Sequence, residues 1–333
     1  MRCKKVTRTG EKFSIDCKNA VDSDFFFKLR RTSLGLRVLL INVRFVCFSF
    51  VESMRFWQKY HQGRSQKRSM LCIGLDTSLE LIPPHLLSLP AVDALAEFNR
   101  RIISSTHDLA IAYKINLAFY EQYGLDGWIA FERTLAAIPP ECIVIADAKR
   151  GDIGNTSKAY AKAFYEKYDC DALTVAPYMG QDSVAPFLEY EDRMTFVLAL
   201  TSNTGSHDFQ RLDVGHKPLY RAVIQSSMAW TRAEGARNLG FVIGATHPQE
   251  LADLRESLPE IMFLIPGVGT QGGDLAAIVE ANGGAPALIN VSRAVLYASQ
   301  ERDFAHASRI AALAFLEKMQ GVHTPHRKDT VNS

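Results

Sequence analysis

No Cys-x-x-Cys pair occurs among the six cysteines, Cys3, Cys17, Cys47, Cys72, Cys142 and Cys170, and no histidine stands near one at zinc-ligand spacing. A thiolate metal centre and a dithiol redox site therefore have no support, and no metal is expected. No uncharged apolar run reaches the roughly 20 residues that cross a bilayer. The longest apolar stretch, Leu34 to Val51, is broken by Arg37, Asn42 and Arg44, which argues against a membrane span. It also starts too late for a secretory signal, and no small-residue cleavage site follows it. A clustered basic face is missing too: residues 1 to 53 carry 11 Lys and Arg against 5 Asp and Glu, and the remainder 27 against 31. The mildly acidic body has no electrostatic footprint for nucleic acid. Between Met54 and Gly321 there is no internal repeat, low-complexity tract or proline-rich linker, so nothing divides that stretch into separate domains.

What is present is ordinary for a globular enzyme: 333 residues, 47% hydrophobic and 22% charged. Cys72 and Cys142 lie inside apolar runs, as small buried hydrophobes do in a reducing compartment, and the body reads as cytoplasmic. The basic segment 1 to 53 differs in composition from the rest, and Glu11, Asp16, Asp22 and Asp24 disfavour a transit peptide. The simplest expectation is a non-domain extension with Met54 as the functional start, a body over 54 to 320, and a polar, disordered tail over 321 to 333.

Short apolar runs alternate with longer helical patterns through the body. Candidate strands are Leu71 to Leu75, Leu109 to Ile115, Ile143 to Ala146, Ala172 to Ala176, Thr195 to Leu200, Phe241 to Ala245, Ile261 to Ile265 and Ala287 to Val291. Eight strand and helix units of even spacing predict an α/β fold, a single (β/α)8 TIM barrel, over a doubly wound open sheet. Polar residues follow many of these strands: Asp76, Lys114, Asp147 with Lys149, Ser202, Thr246, Gly267 with Gln271, and Arg293. Singly, each has a bland reading as a cap, a turn former or a surface side chain. Together they would converge on the rim where barrel enzymes keep their active sites.

Two segments carry the chemistry. In Asp147-Ala-Lys-Arg-Gly-Asp-Ile-Gly-Asn-Thr156, Asp147 and Lys149 share a face at period two at the end of a strand. Asp152 follows between Gly151 and Gly154, predicting a compact cluster of alternating charge ahead of an amphipathic stretch from Lys158 to Tyr168. In Pro266-Gly-Val-Gly-Thr-Gln-Gly-Gly-Asp274, three glycines fit G-x-G-x-x-G spacing. A dinucleotide site is disfavoured, because the segment comes late in the body and no ribose-binding acid follows. A phosphate site built from the loops after strands 7 and 8 fits better, with backbone amides and Arg293 as donors.

With Gly74-Leu-Asp76 early, Lys114 between and Asn290-Val-Ser-Arg293 late, these motifs resemble, in order over residues 54 to 320, the orotidine 5'-phosphate decarboxylase family, and are similar to its longer bacterial branch. The resemblance implies conversion of orotidine 5'-monophosphate to UMP and CO2, the last step of de novo UMP synthesis, without a cofactor. It implies a catalytic set of Lys114, Asp147, Lys149 and Asp152, and substrate contacts from Asp76 to ribose, Ser202 to the pyrimidine, and Gln271 and Arg293 to phosphate. It further implies a homodimer in which Asp152 and Thr156 reach the neighbouring subunit's site. The rival is a related Asp-x-Lys-x-x-Asp barrel of the keto-gulonate phosphate decarboxylase or hexulose phosphate synthase type, which would use magnesium. A Schiff-base aldolase is disfavoured because a lysine between carboxylates stays protonated. An intact set of four charges argues against a binding protein without chemistry.

Overall fold

The computed structural model describes residues 2–6, 12–16, 56–231, 237–269 and 273–322. The chain divides into two compact units at residue 50. In the first, two short strands, Arg2–Val6 and Lys12–Asp16, pair antiparallel. The expected start at Met54 and most of the expected tail lie outside the described residues; the last helix runs to Val322, two residues into that tail.

In the second unit, eight parallel strands close into a barrel in chain order: β1 (Leu71–Gly74), β2 (Ala112–Asn116), β3 (Ile143–Arg150), β4 (Ala172–Val175), β5 (Met194–Leu200), β6 (Leu239–Ile243), β7 (Met262–Pro266) and β8 (Ala287–Val291), with β8 pairing back onto β1. Closure excludes the open doubly wound sheet. The expected strands fall on the observed ones, with edges moved by a few residues. β2 starts at Ala112 rather than Leu109, and β3 continues through Arg150 instead of ending at Ala146.

Side-chain alternation sorts each strand into two layers. Residues such as Tyr113, Leu173 and Phe241 point outward into the large core beneath the surrounding helices. Their neighbours Cys72, Ala112, Ile143, Ile145, Ala172, Met194, Phe196, Val242, Met262, Leu264 and Leu288 fill the barrel interior. Helix α1 (Phe56–Lys67) closes the bottom by inserting Phe56 and Tyr60 into that inner layer. Beside them the Lys59 ammonium, 2.7 Å from Asp171 Oδ2, forms a buried ion pair. Asp171 also accepts a hydrogen bond from the Val144 amide, so the buried charges have partners.

The amphipathic stretch expected from Lys158 to Tyr168 is divided. An α-helix over Gly154–Ala161 begins four residues earlier, and a π-helical turn over Lys162–Lys167 follows. The wider turn lets two consecutive residues, Phe164 and Tyr165, both enter the core.

Candidate active site

Continuing the inner layer upward by two residues per strand replaces apolar side chains with polar ones. Ala112 is followed by Lys114, Ile145 by Asp147, Ala172 by Thr174 and Leu288 by Asn290. All four line a cavity of about 300 Å³ at the C-terminal mouth of the barrel. The pleat that fills the interior with hydrophobes thus carries the ionic groups to the cavity floor.

Lys114 is almost fully enclosed, its side chain 4% exposed, with Nζ 3.0 Å from Asp147 Oδ2 and 3.4 Å from Asp76 Oδ1. The other Asp147 oxygen, Oδ1, accepts from Lys149 Nζ at 2.6 Å and from the Thr174 hydroxyl at 3.0 Å. Burial by itself would raise the Asp147 carboxyl, but the two ammonium groups and their hydrogen bonds outweigh it and hold the group well below its usual range. Burial also works against the Lys114 charge; Asp147 and then Asp76 overcome it and raise Lys114 above its ordinary value. Both groups stay ionised at neutral pH. Lys149 is different, because 47% of its side chain is exposed and its ammonium stands over the open cavity.

Asp76 is fixed from the opposite side. Its Oδ2 accepts from Ser292 Oγ at 2.5 Å, and its backbone carbonyl accepts from the Tyr297 hydroxyl at 2.9 Å. A side chain at Gly74 would meet Ser292 Oγ at 2.6 Å, so the glycine permits that approach. The far wall consists of Thr201, Ser202 and Asn203 after β5, and Gly267 and Val268 after β7. Gly267 and Gly269 have φ of 102° and 84°, the left-handed region that glycine adopts without strain. These values fold the loop back so that Gly273 N donates to Gly267 O. Arg293 opens the short helix after β8 with its exposed guanidinium at the cavity edge.

Six expected residues therefore meet around one space: Asp76, Lys114, Asp147, Lys149, Ser202 and Arg293. Gln271 lies outside the described residues. Asp152 and Thr156 do not line this cavity, which corrects the expectation of a single compact charge cluster. β3 runs on to Arg150, whose carbonyl accepts from the Ala176 amide, and the chain then leaves the rim at Gly151. Asp152 Oδ1 accepts from the Ile153 amide, and Thr156 is exposed on the following helix. The simple period-two account of Lys149 also fails. Its φ of 49° places it in a bulge, and the bulge brings its ammonium back to Asp147.

Sequence reasoning passed over Thr174, Asn116, Ser292 and Asn290 as members of the site. A signal for two of them existed: Thr174 and Asn290 interrupt apolar strands at the inward parity.

Residues 69–307 match the model of the orotidine 5'-phosphate decarboxylase / HUMPS family. The chain is 46% identical over 267 residues to the orotidine 5'-phosphate decarboxylase of Flavobacterium johnsoniae, covering 79% of this chain and 96% of the relative. To that of Dehalococcoides mccartyi it is 47% identical over 283 residues, 83% and 99% of the two chains. Among solved structures it is similar to the OMP decarboxylase of Leishmania donovani, with a TM-score of 0.69 and 38% identity over 81% of this chain and 99% of that one.

Proposed function

The chain belongs to the orotidine 5'-phosphate decarboxylase family, and from that premise we propose how its cavity performs the conversion of orotidine 5'-monophosphate to UMP and CO2, the closing step of UMP biosynthesis. The observation that carries the reading is the Lys114–Asp147–Lys149 array on the cavity floor. Breaking the bond between C6 and the carboxylate leaves its electron pair on C6, where the pyrimidine ring delocalises it poorly. The Lys149 ammonium stabilises that carbanion by its charge and then transfers a proton to C6, yielding UMP. Asp147 aims the Lys149 ammonium, and Lys114 balances Asp147 so that the carboxylate stays ionised against its burial. No step in this scheme calls on a metal or organic cofactor.

Three cations and two carboxylates line the described cavity, a balance suited to a substrate that carries a phosphate and a carboxylate. Asp76 takes the ribose hydroxyls, Ser202 the pyrimidine, and Arg293 with Gln271 the phosphate. No hydrogen bond or ion pair ties the Arg293 guanidinium to another described residue, which leaves its five donors for a ligand.

The array is completed in this reading by a second copy of the chain, which lends Asp152 and Thr156. Their position outside the cavity of their own chain supports this, as do exposed apolar side chains on the adjoining loops: Ile153, Met179 and Tyr178, the last 93% exposed. The proposed compartment is the cytoplasm, a reading that the buried free thiols of Cys72, Cys142 and Cys170 support. Among the described residues no helix is long and apolar enough to cross a membrane.

The test is the ultraviolet absorbance of orotidine 5'-monophosphate mixed with purified protein, with and without EDTA. Conversion to UMP at an equal rate in both is expected. Loss on chelation would favour the magnesium-dependent sugar-phosphate chemistry of the related barrels.

A further inference from the structure

Thr174 faces the irregular part of β3. The β3–β4 ladder pairs Ala146 with Leu173 and next pairs Arg150 with Val175, so four residue steps on one strand oppose two on the other. Within that bulge Lys149 holds a left-handed φ of 49°, a conformation that costs a non-glycine residue on the order of 1 kcal/mol or more. Its amide has lost its place in the ladder, and a part-buried N–H left without a partner would add to that cost.

Thr174 Oγ1 meets both needs of the bulge. It accepts from the Lys149 amide at 3.0 Å and donates to Asp147 Oδ1 at 3.0 Å, the same oxygen that holds Lys149 Nζ at 2.6 Å. The hydroxyl has one proton to give and lone pairs to receive, so the two bonds are compatible. Thr174 is buried and β-branched, and its side chain has little freedom to leave this position. A closed ring results: Lys149 amide to Thr174, Thr174 to Asp147, Asp147 to the Lys149 ammonium.

We propose that Thr174 is a positioning residue for the decarboxylation, its hydroxyl locking the Lys149 backbone and the Asp147 carboxylate together so that the ammonium is held at the reacting carbon. The proposal rests on the reading of Lys149 as the proton donor. It assigns Thr174 no contact with the substrate, so its loss should change turnover more than binding.

Thr174→Val keeps the shape and removes both hydrogen bonds; Thr174→Ser keeps the hydroxyl. The expected result is a kcat for Thr174→Val lower by about 10- to 100-fold, the scale of a displaced catalytic group. KM and the affinity for UMP should stay within about twofold, as expected when ground-state binding is retained. Thr174→Ser should recover most of the lost kcat. Thr174→Val with wild-type kcat, beside an inactive Lys149→Ala, overturns the proposal and leaves the donor reading standing. An active Lys149→Ala overturns the donor reading itself. Should Thr174→Val not fold, Thr174→Ala is measured against Thr174→Ser, and equal kcat in that pair overturns the proposal.

Discussion

Lys114 and Asp147 are each buried to a degree that an isolated charge would not tolerate, and each is tolerated because the other is there. Pairing keeps Lys114 and Asp147 ionised, so the geometry of this pair rather than its protonation governs the site. Arg293 is the contrasting case, a charge left without a described partner at the cavity edge. Binding energy from a distant phosphate can be used to close loops over the substrate and raise turnover as well as affinity. Arg293→Ala should therefore lower kcat/KM by about a hundredfold or more while leaving Tm unchanged, as expected for loss of a bidentate charge-assisted contact from an exposed residue. Steady-state kinetics with a thermal melt checks both parts; an unchanged kcat/KM removes Arg293 from the phosphate site. Lys149→Ala should abolish turnover with UMP binding still measurable by titration. Asp76, Lys114, Asp147, Lys149, Ser202 and Arg293 were readable from the sequence, because polar residues at strand ends are conspicuous against apolar runs. Thr174 was passed over despite its inward parity, because a threonine inside a strand is also what β propensity alone supplies.

Strands and helices place these residues, and the bottom of the barrel shows what placement rests on. Helix α1 seals the interior with Phe56 and Tyr60 and brings in Lys59 against Asp171. Burial pushes the Asp171 carboxyl above its ordinary value of 3.8, and Lys59 offsets only part of that rise. A raised carboxyl means that the folded state holds the proton more tightly than the unfolded chain. The stability linked to that proton is present in acid and lost as pH rises through the raised value. Lys59→Met removes the offset and should cost about 3–5 kcal/mol at neutral pH, the scale for one partner of a buried pair. Part of that loss should return as the pH is lowered from neutral into the acid range, because Asp171 then takes up a proton and no longer sits as a buried charge without its partner. Denaturant titrations at the two pH values test this, and a loss independent of pH would show that the pair does not control it. Catalytic rate should be unaffected, since Lys59 lies at the opposite end of the barrel from the cavity. At this scale the edges of β2 and β3 moved from their expected places. Hydrophobicity marks where a strand can run, and ladder partners fix where it starts and stops.

The whole barrel brings eight strand ends, spread over more than 200 residues of sequence, around one cavity. If the dimer lends Asp152 across its interface, Lys149→Ala and Asp152→Ala should each be inactive alone yet complement when mixed. Every mixed dimer would then contain one site with both native residues. Unfolding and refolding an equal mixture should restore about a quarter of wild-type activity by random pairing of a symmetric dimer. No recovery, with mixed dimers verified by native mass spectrometry, would return Asp152 to a role within its own subunit.

The fold class and the identity of most charged residues at the mouth were determined by the sequence itself, because alternation and even spacing are local properties that each segment carries without its neighbours. Tertiary structure alone decided which of those charges meet. Asp147 and Lys149 come together through a bulge stabilised by a hydroxyl on the next strand, and Asp152, five residues from Asp147, is turned out of the same cavity. Adjacency in the chain sets how far apart two residues can be; the pairing of strands sets which way they face.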